Sequence, residues 1–201
     1  MESNRYKVRY EKGELLRKQY TPLDYIIYLR DGYVKEYLWH ENLPDQVIQL
    51  IKPRSYIGLQ GACTNTSNVF SYQAITAVDV CLIDKATFQN LIEGNGKFAA
   101  EILKALSQES ISNQKRFLSL NQTQIFGKAA GLLKYLSEEV YESSSFELHL
   151  KREELAQMVA STRESVTRAL LWFHNEEIIH MSKNHIIILD YERLAEMAKR
   201  G

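Results

Sequence analysis

The stretch that decides the fold is Arg152-Glu-Glu-Leu-Ala-Gln-Met-Val-Ala-Ser-Thr-Arg-Glu-Ser-Val-Thr-Arg-Ala-Leu-Leu171. Its apolar residues form two short helical series. Leu155, Met158 and Val159 close one face of a first helix, with the small Ala156 where another helix can cross it. Ala160-Ser161 makes a tight turn. Thr162 is a strong N-cap for a second helix, and Glu164 in its first turn suits the positive end of the helix dipole. Val166, Ala169, Leu170 and Phe173 then recur at helical spacing as a buried stripe. The opposite face carries Arg163, Glu164, Thr167 and Arg168. These side chains suit base edges: arginine donates twice to guanine, glutamate accepts from the cytosine amino group, and threonine meets a thymine methyl. The bland alternative is a solvated charged face. Two features weigh against it: the small-residue turn between two short helices, and the apolar hairpin that follows. That hairpin, Ile178–Met181, Ser182-Lys183-Asn184 and His185–Leu189, would form a wing.

Upstream, a helix is expected from Gln124 to Val140, carrying Ile125, Phe126, Ala129, Leu132, Leu133 and Leu136. The polar loop Tyr141–Ser145 and a strand, Phe146–Leu150, connect it to the helix-turn-helix. Before a joint at Asn121-Gln-Thr123, a long pattern runs from Lys97 to Leu120. Its apolar stripe of Phe98, Ile102, Leu106, Phe117 and Leu120 is thin, interrupted by Glu109, Ser110 and Asn113. Such a helix packs against one partner helix, which makes a subunit seam one reading and burial in its own chain the other. Lys85–Glu93 reads as a short helix stopped by Gly94-Asn95-Gly96. From Tyr6 to Ile83 the chain is instead a series of short Tyr-, Ile- and Val-rich runs (Tyr25–Leu29, Tyr33–Trp39, Val47–Ile51, Ser71–Ala77, Val80–Ile83). Pro22, Pro44 and Pro53 fall at connections, and Asp31-Gly32 is a hairpin signal. The pattern predicts an antiparallel sandwich or barrel.

Taken together, Thr162-Arg-Glu-Ser-Val-Thr-Arg168 and the wing resemble the DNA-binding motif of the cyclic-AMP receptor/FNR (CRP/FNR) family of bacterial transcription regulators. Leu29-Arg-Asp-Gly-Tyr33, Tyr56-Ile-Gly-Leu59 and Ala74–Ile83 are similar to the family's sensor domain. The resemblance implies an α+β chain: an N-terminal antiparallel β-roll, a cupin-like jelly roll, over 1–93; a long dimerisation helix over 94–121; and a C-terminal winged helix-turn-helix over 122–201. It implies base contacts by Arg163, Glu164, Thr167 and Arg168. Phosphate contacts would come from Arg152, Thr162, Ser165 and the wing residues Ser182, Lys183 and Asn184, with Lys151 added for its proximity. Phe98, Ile102, Leu106 and Phe117 would form the dimer interface. The expected partners are double-stranded DNA, a second copy of the chain and RNA polymerase, in the cytoplasm and away from membranes. The family's helix before the β-roll is expected to be absent or very short, because Tyr6 already begins a strand, which also suggests a late start to the chain.

The sensor half departs from the family. Cyclic-nucleotide binders carry a Gly-Glu-Leu-type element and a downstream Arg-Ser/Thr pair. Here Gly58-Leu59-Gln60-Gly61 and Asn68-Val69-Phe70-Ser71 stand in those places. With neither the carboxylate nor the arginine, a cyclic phosphate would be buried unpaired, so cyclic AMP is not expected. An unknown small effector is expected instead, beside Gly58, Leu59, Gln60, Gly61, Asn68, Val69 and Asn113. Cys63 and Cys81 cannot supply the four thiolates of an iron–sulfur cluster. No cofactor is evident. A haem or redox sensor of the same family is the alternative, with His40 the single histidine of the sensor half and Cys63 an available thiol. No metal site is expected, since a β-barrel metalloenzyme needs clustered histidines and carboxylates, and His149, His174, His180 and His185 lie in the other half. In a third reading, a β-barrel binding protein uses the winged helix for protein contacts.

The 201 residues balance 25 Lys and Arg against 25 Asp and Glu, with 45% hydrophobic residues. That is ordinary for a globular protein. No apolar run approaches the roughly 18 residues of a spanning helix, and Met1–Tyr10 lacks a signal-peptide core. Neutrality would seem to argue against a polyanion partner. Even Gln124–Gly201 carries ten basic against twelve acidic residues. The basic groups nevertheless gather at Lys151-Arg152, Arg163, Arg168 and Lys183. Weak non-specific binding and reliance on specific contacts are expected.

Overall fold

Eight strands precede the first long helix: β1 (Arg5–Tyr10), β2 (Leu15–Arg17), β3 (Tyr25–Asp31), β4 (Val34–Leu38), β5 (Gln46–Ile51), β6 (Ser55–Ile57), β7 (Ser71–Ala74) and β8 (Val78–Asp84). The computed structural model describes residues 5–42, 44–64, 66–122 and 124–200. The strands form two four-stranded sheets, ordered β1-β8-β3-β6 and β2-β7-β4-β5, all neighbours antiparallel. The expected hairpin at Asp31-Gly32 is therefore corrected: β3 and β4 belong to different sheets. The turn is a corner at which the chain leaves one sheet for the other. The connection from β7 to β8 crosses at the same place, with Tyr33 N–H donating to Thr76 Oγ1 at 2.9 Å. Gly32 has φ 80°, and a Cβ there would sit 2.2 Å from the Ala77 carbonyl oxygen. Two crossings this close leave no room for a side chain.

Alternation along β3 explains why Tyr25–Leu29 is an unbroken apolar run. Side chains point alternately to opposite faces of a strand, and both faces of β3 are covered. Ile27 and Leu29 join Val34, Ile51, Ile57, Tyr72, Ala74, Val78 and Val80, drawn from both sheets. Ile26 faces the other way, into a cluster with Leu23, Leu59, Ala62, Ile83, Phe88 and Ile102. That second cluster is capped by α1 (Leu59–Thr64), α2 (Lys85–Gly94) and the start of α3 (Gly96–Gln122). Asp84 caps α2 by accepting from Thr87 N–H at 2.9 Å.

The long helix is present, 27 residues in all, and it divides the residues expected at its seam between burial and exposure. Ile102 is buried, and Phe98 and Leu106 pack against the same cluster, so these three serve their own chain's core. Among the described residues, the large apolar side chains that α3 leaves exposed are Leu103, Ile111, Phe117 and Leu118. The chain folds as two compact units, 1–111 and 112–201, whose boundary falls inside this helix.

The second unit contains α4 (Ile125–Tyr135), β9 (Ser145–Glu147), α5 (Arg152–Met158), α6 (Arg163–Asn175), β10 (Ile179–Ser182), β11 (His185–Ile188) and α7 (Tyr191–Arg200). Residues 136–140 continue α4 as a wider turn, Tyr141 N–H reaching Leu136 O at 2.8 Å. Its sheet is ordered β10-β11-β9. The expected strand at Phe146–Leu150 is shorter than the apolar run, because only Ser145–Glu147 of this segment pairs with β11. Leu148 and Leu150 are buried without a ladder. The wing tip is two residues, Lys183-Asn184, since Ser182 pairs with His185. Lys183 takes φ 53°, the left-handed geometry that a two-residue hairpin turn requires. Helix α7 was not expected from the sequence; Asp190 caps it through Arg193 N–H at 2.9 Å, and Leu194 is wholly buried. Fully buried Leu133, Leu155, Phe173, Ile178, Ile179 and Ile186 make this unit's core, each contributing about 1.5–3 kcal/mol of apolar transfer.

Candidate nucleic-acid interface

Helices α5 and α6 are each started by local hydrogen bonds. Lys151 N–H donates to Glu154 Oε2 at 2.8 Å, closing the first turn of α5. Leu155, Ala156, Met158 and Val159 are buried, as the spacing predicts. After Val159, Ala160 adopts φ 47° and Ser161 N–H returns to Ala156 O at 3.0 Å, which reverses the chain in two residues. Thr162 then caps α6, its Oγ1 accepting from Ser165 N–H at 3.2 Å. The interior stripe is buried as expected, Val166, Ala169, Leu170 and Phe173 being at most 2% exposed.

The other face of α6 is open. Arg163, Glu164, Thr167, Arg168, Leu171, Trp172 and Asn175 line one shallow groove along the helix. Arg163, Glu164, Arg168 and Leu171 are exposed; Thr167 and Trp172 are half-buried. Arg163 is held across the turn by Glu153, Nε to Oε1 3.2 Å. Thr162 and Ser165 hydroxyls hydrogen-bond to each other at 3.0 Å. Arg152 is half-buried rather than splayed into solvent, with Nη2 2.9 Å from Met181 Sδ on the wing, and this burial draws its pKa below the ordinary arginine value. Lys151, Ser182, Lys183 and Asn184 are exposed, and Asn184 O accepts from Leu148 N–H at 2.7 Å. Sequence reading missed Glu153, Leu171, Trp172 and Asn175 on this surface. The i, i+4, i+8 series Arg163, Thr167, Leu171 was the available signal for the second of these.

The residues expected around an effector do not converge. Leu59 is core, and Gln60, on α1, donates to Glu109 Oε1 at 3.2 Å. Asn68 is buried, its amide spent on the carbonyls of Lys18 and Phe70. Val69 is exposed, and Asn113 belongs to the second unit. Gly58 has φ 91° and Gly61 packs beside Thr66 O. Nearby, buried Glu36 accepts from Gln49 Nε2 at 2.6 Å, and the same amide reaches Glu109 at 2.9 Å. Burial first, and then the Glu36 carboxylate, pushes the Tyr72 hydroxyl above its ordinary pKa. Arg17 reaches Gly58 from β2; Nη2 donates to Tyr25 O and Nη1 is buried without an acceptor, and desolvation lowers its pKa. His40 and Cys63 are exposed and Cys81 is half-buried. Among the described residues no three His, Cys, Asp or Glu side chains gather as metal ligands, and no helix is long and apolar enough to cross a membrane.

A jelly-roll unit followed through a long helix by a winged helix-turn-helix with an open, Arg-bearing second helix defines a DNA-binding transcription regulator rather than an enzyme. The Crp-like helix-turn-helix domain profile matches residues 127–197, and the cyclic nucleotide-binding domain profile matches residues 7–95. The chain is 24% identical to electron transport regulator A of Shewanella oneidensis over 192 residues, covering 94% of this chain and 76% of the relative. It is 25% identical to the transcriptional activator protein anr of Pseudomonas aeruginosa, with 94% and 78% covered. FixK2 from Bradyrhizobium japonicum has a similar fold, with TM-score 0.87, 18% identity and 96% of both chains covered. So does a CRP/FNR-family transcriptional regulator from Thermus thermophilus, with TM-score 0.78, 21% identity, and 98% and 100% covered. The chain belongs to the CRP/FNR family.

Proposed function

We propose that the chain acts as a homodimer on a palindromic operator with half-sites about one helical turn apart. In this reading α6 enters the major groove N-terminal end first. Arg163, Glu164, Thr167 and Arg168 contact bases, while Lys151, Arg152, Thr162, Ser165, Ser182, Lys183 and Asn184 hold the backbone. The observation that carries the reading is the division of α6: a stripe buried to 2% or less on one side, and on the other an open groove bearing two arginines. The exposed apolar residues of α3 support self-association, with Leu103 and Phe117 on the proposed contact face. Functionally the chain divides as sensor (1–93), coupling and dimerisation helix (94–121) and DNA-binding domain (122–201). Contact with RNA polymerase in the cytoplasm belongs to the same proposal, with family membership as its support.

The sensor unit is proposed to answer to a small effector other than cyclic AMP. Supporting this are the Glu36 and Glu109 carboxylates, bridged by Gln49, and the absence of Lys or Arg from Gly58–Ser71. The reading assigns no iron–sulfur cluster to these 201 residues, whose two cysteines fall short of four thiolates.

The test is Arg168→Ala on operators selected from a randomised duplex pool. Losing a bidentate base contact should cost about 1–3 kcal/mol and relax sequence preference at one position of each half-site. Lys183→Ala should instead weaken binding to all sequences and reduce the salt slope by about one. Unchanged affinity and preference in Arg168→Ala would remove α6 from the groove.

A further inference from the structure

The groove along α6 extends one turn beyond the residues so far given base contacts. Leu171 lies there, four residues past Thr167 and next to Arg168 and Trp172. It is 47% exposed, whereas the other large aliphatic residues of the helix, Val166 and Leu170, are at most 2% exposed. Leu171 therefore does little for the core of its own unit. Its position along the helix is informative: four residues past Thr167 is about 6 Å of axial rise, and the i, i+4 spacing puts both side chains on one face. A side chain there continues the line of residues that face the groove one turn beyond Thr167. Leucine can form neither an ion pair nor a hydrogen bond, so any complementary surface must be apolar. Among base edges in the major groove, the C5-methyl of thymine is that surface.

We propose that Leu171 is a further specificity-determining residue, packing on a thymine methyl at one position of each half-site beyond the base read by Arg168. The proposal rests on the reading of α6 as the helix in the groove. It gives the second half of the helix a role that depends on excluding water from one methyl group, separate from the polar readout of its first two turns. Trp172 and Asn175 flank the leucine in the groove, so the methyl would enter a bounded notch rather than an open face.

The full-length chain is used to select operators from a randomised duplex pool, and each thymine of the selected duplex is replaced in turn by deoxyuridine. That removes one methyl and leaves every hydrogen-bonding group in place. Wild-type protein should lose about fourfold affinity per half-site at one such position, the size expected for one buried methyl. Leu171→Ala should lose nothing further at that position while keeping any other uracil effects. Leu171→Met, which retains an apolar tip, should keep the sensitivity. The exposure of Leu171 means that the thermal unfolding of both variants should match wild type, which separates this outcome from misfolding. If Leu171→Ala and wild type give the same uracil scan, or if the selected half-site holds no thymine beyond the Arg168 position, the proposal is wrong. Arg168→Ala separates the two levels. If it binds as wild type does, the placement of α6 fails. If it loses affinity while the uracil scan stays independent of residue 171, the helix is in the groove and the leucine contact alone fails.

Discussion

Glu153 Oε1 lies 3.2 Å from Arg163 Nε, an ion pair that ties the first turn of α5 to the first residue of α6. Both side chains are more than half exposed, so the pair adds little to folding stability. Its consequence is for recognition. In the proposed reading of α6, holding Nε on Glu153 leaves the Nη pair of Arg163 to point along the groove, and less side-chain entropy would be lost on meeting a guanine. In the same reading that carboxylate would place a negative charge beside the duplex, which disfavours binding to arbitrary sequence. Glu153→Gln should therefore raise affinity for a scrambled duplex at low salt and lower affinity for the selected operator. The ratio of the two should fall severalfold in a fluorescence-anisotropy titration at fixed ionic strength. An unchanged ratio would make the pair incidental to DNA reading.

Gly32 and Gly13 separate backbone strain from steric collision. Both have positive φ, 80° and 92°, but a Cβ on Gly32 would meet Ala77 O at 2.2 Å while one on Gly13 meets nothing within 4 Å. Gly13→Ala should cost about 1 kcal/mol, the penalty for a left-handed L-residue. Gly32→Ala should cost well beyond that, because the atom in the way is backbone at the shared crossing of two strand connections. Chemical denaturation of the two variants should show a clear gap. Equal costs would mean that the corner at Asp31-Gly32 opens freely.

The exposed row on α3 predicts how the chain associates. Leu103 is 67% exposed and Phe117 66% exposed, and they stand two heptads apart in the sequence. Replacing both by glutamate should give a monomer in sedimentation velocity, with near-ultraviolet circular dichroism unchanged, and operator affinity should fall with the loss of two-site binding. Ile102→Glu, by contrast, should unfold the first unit, since that residue is 4% exposed within its core. A double variant that stays dimeric would place the interface elsewhere.

These contrasts mark where the sequence was legible. The helix-turn-helix could be read residue by residue because its determinants are local: the Thr162 cap, the Ala160-Ser161 turn and a 3.6-residue apolar period. All four residues of the α6 stripe are buried where that period placed them. The β-roll was legible as strands but not as pairings. Alternation tells which side chains are buried, whereas the partner of β3 is set by the return of β8 from more than forty residues away. The same limit hid the role of Ile102, because a stripe on a helix does not say whether its own sheet or a second subunit covers it. Helix α7 escaped notice because a single wholly buried residue, Leu194, anchors it. The effector region was the least legible part, since missing signatures exclude ligands without naming one.

Ala160 offers a test of the turn that sets α6 on its course. Its φ of 47° lies in the left-handed region, at the position after the end of α5 where glycine is favoured. An L-residue there carries a steric penalty of roughly 1–2 kcal/mol, and glycine recovers most of it while losing about 0.5–1 kcal/mol to the greater freedom of the unfolded chain. Ala160→Gly should therefore be neutral to slightly stabilising, by up to about 1 kcal/mol. Operator affinity should be unchanged, because the Ser161-to-Ala156 hydrogen bond that reverses the chain uses backbone atoms alone. Ala160→Val should be destabilised instead, since a β-branched residue suits this conformation least. Urea denaturation of the three proteins should rank them glycine, alanine, valine. If the valine variant matched the alanine protein, the turn would have to be made by a different backbone conformation, and the crossing of α6 over α5 would need to be redrawn.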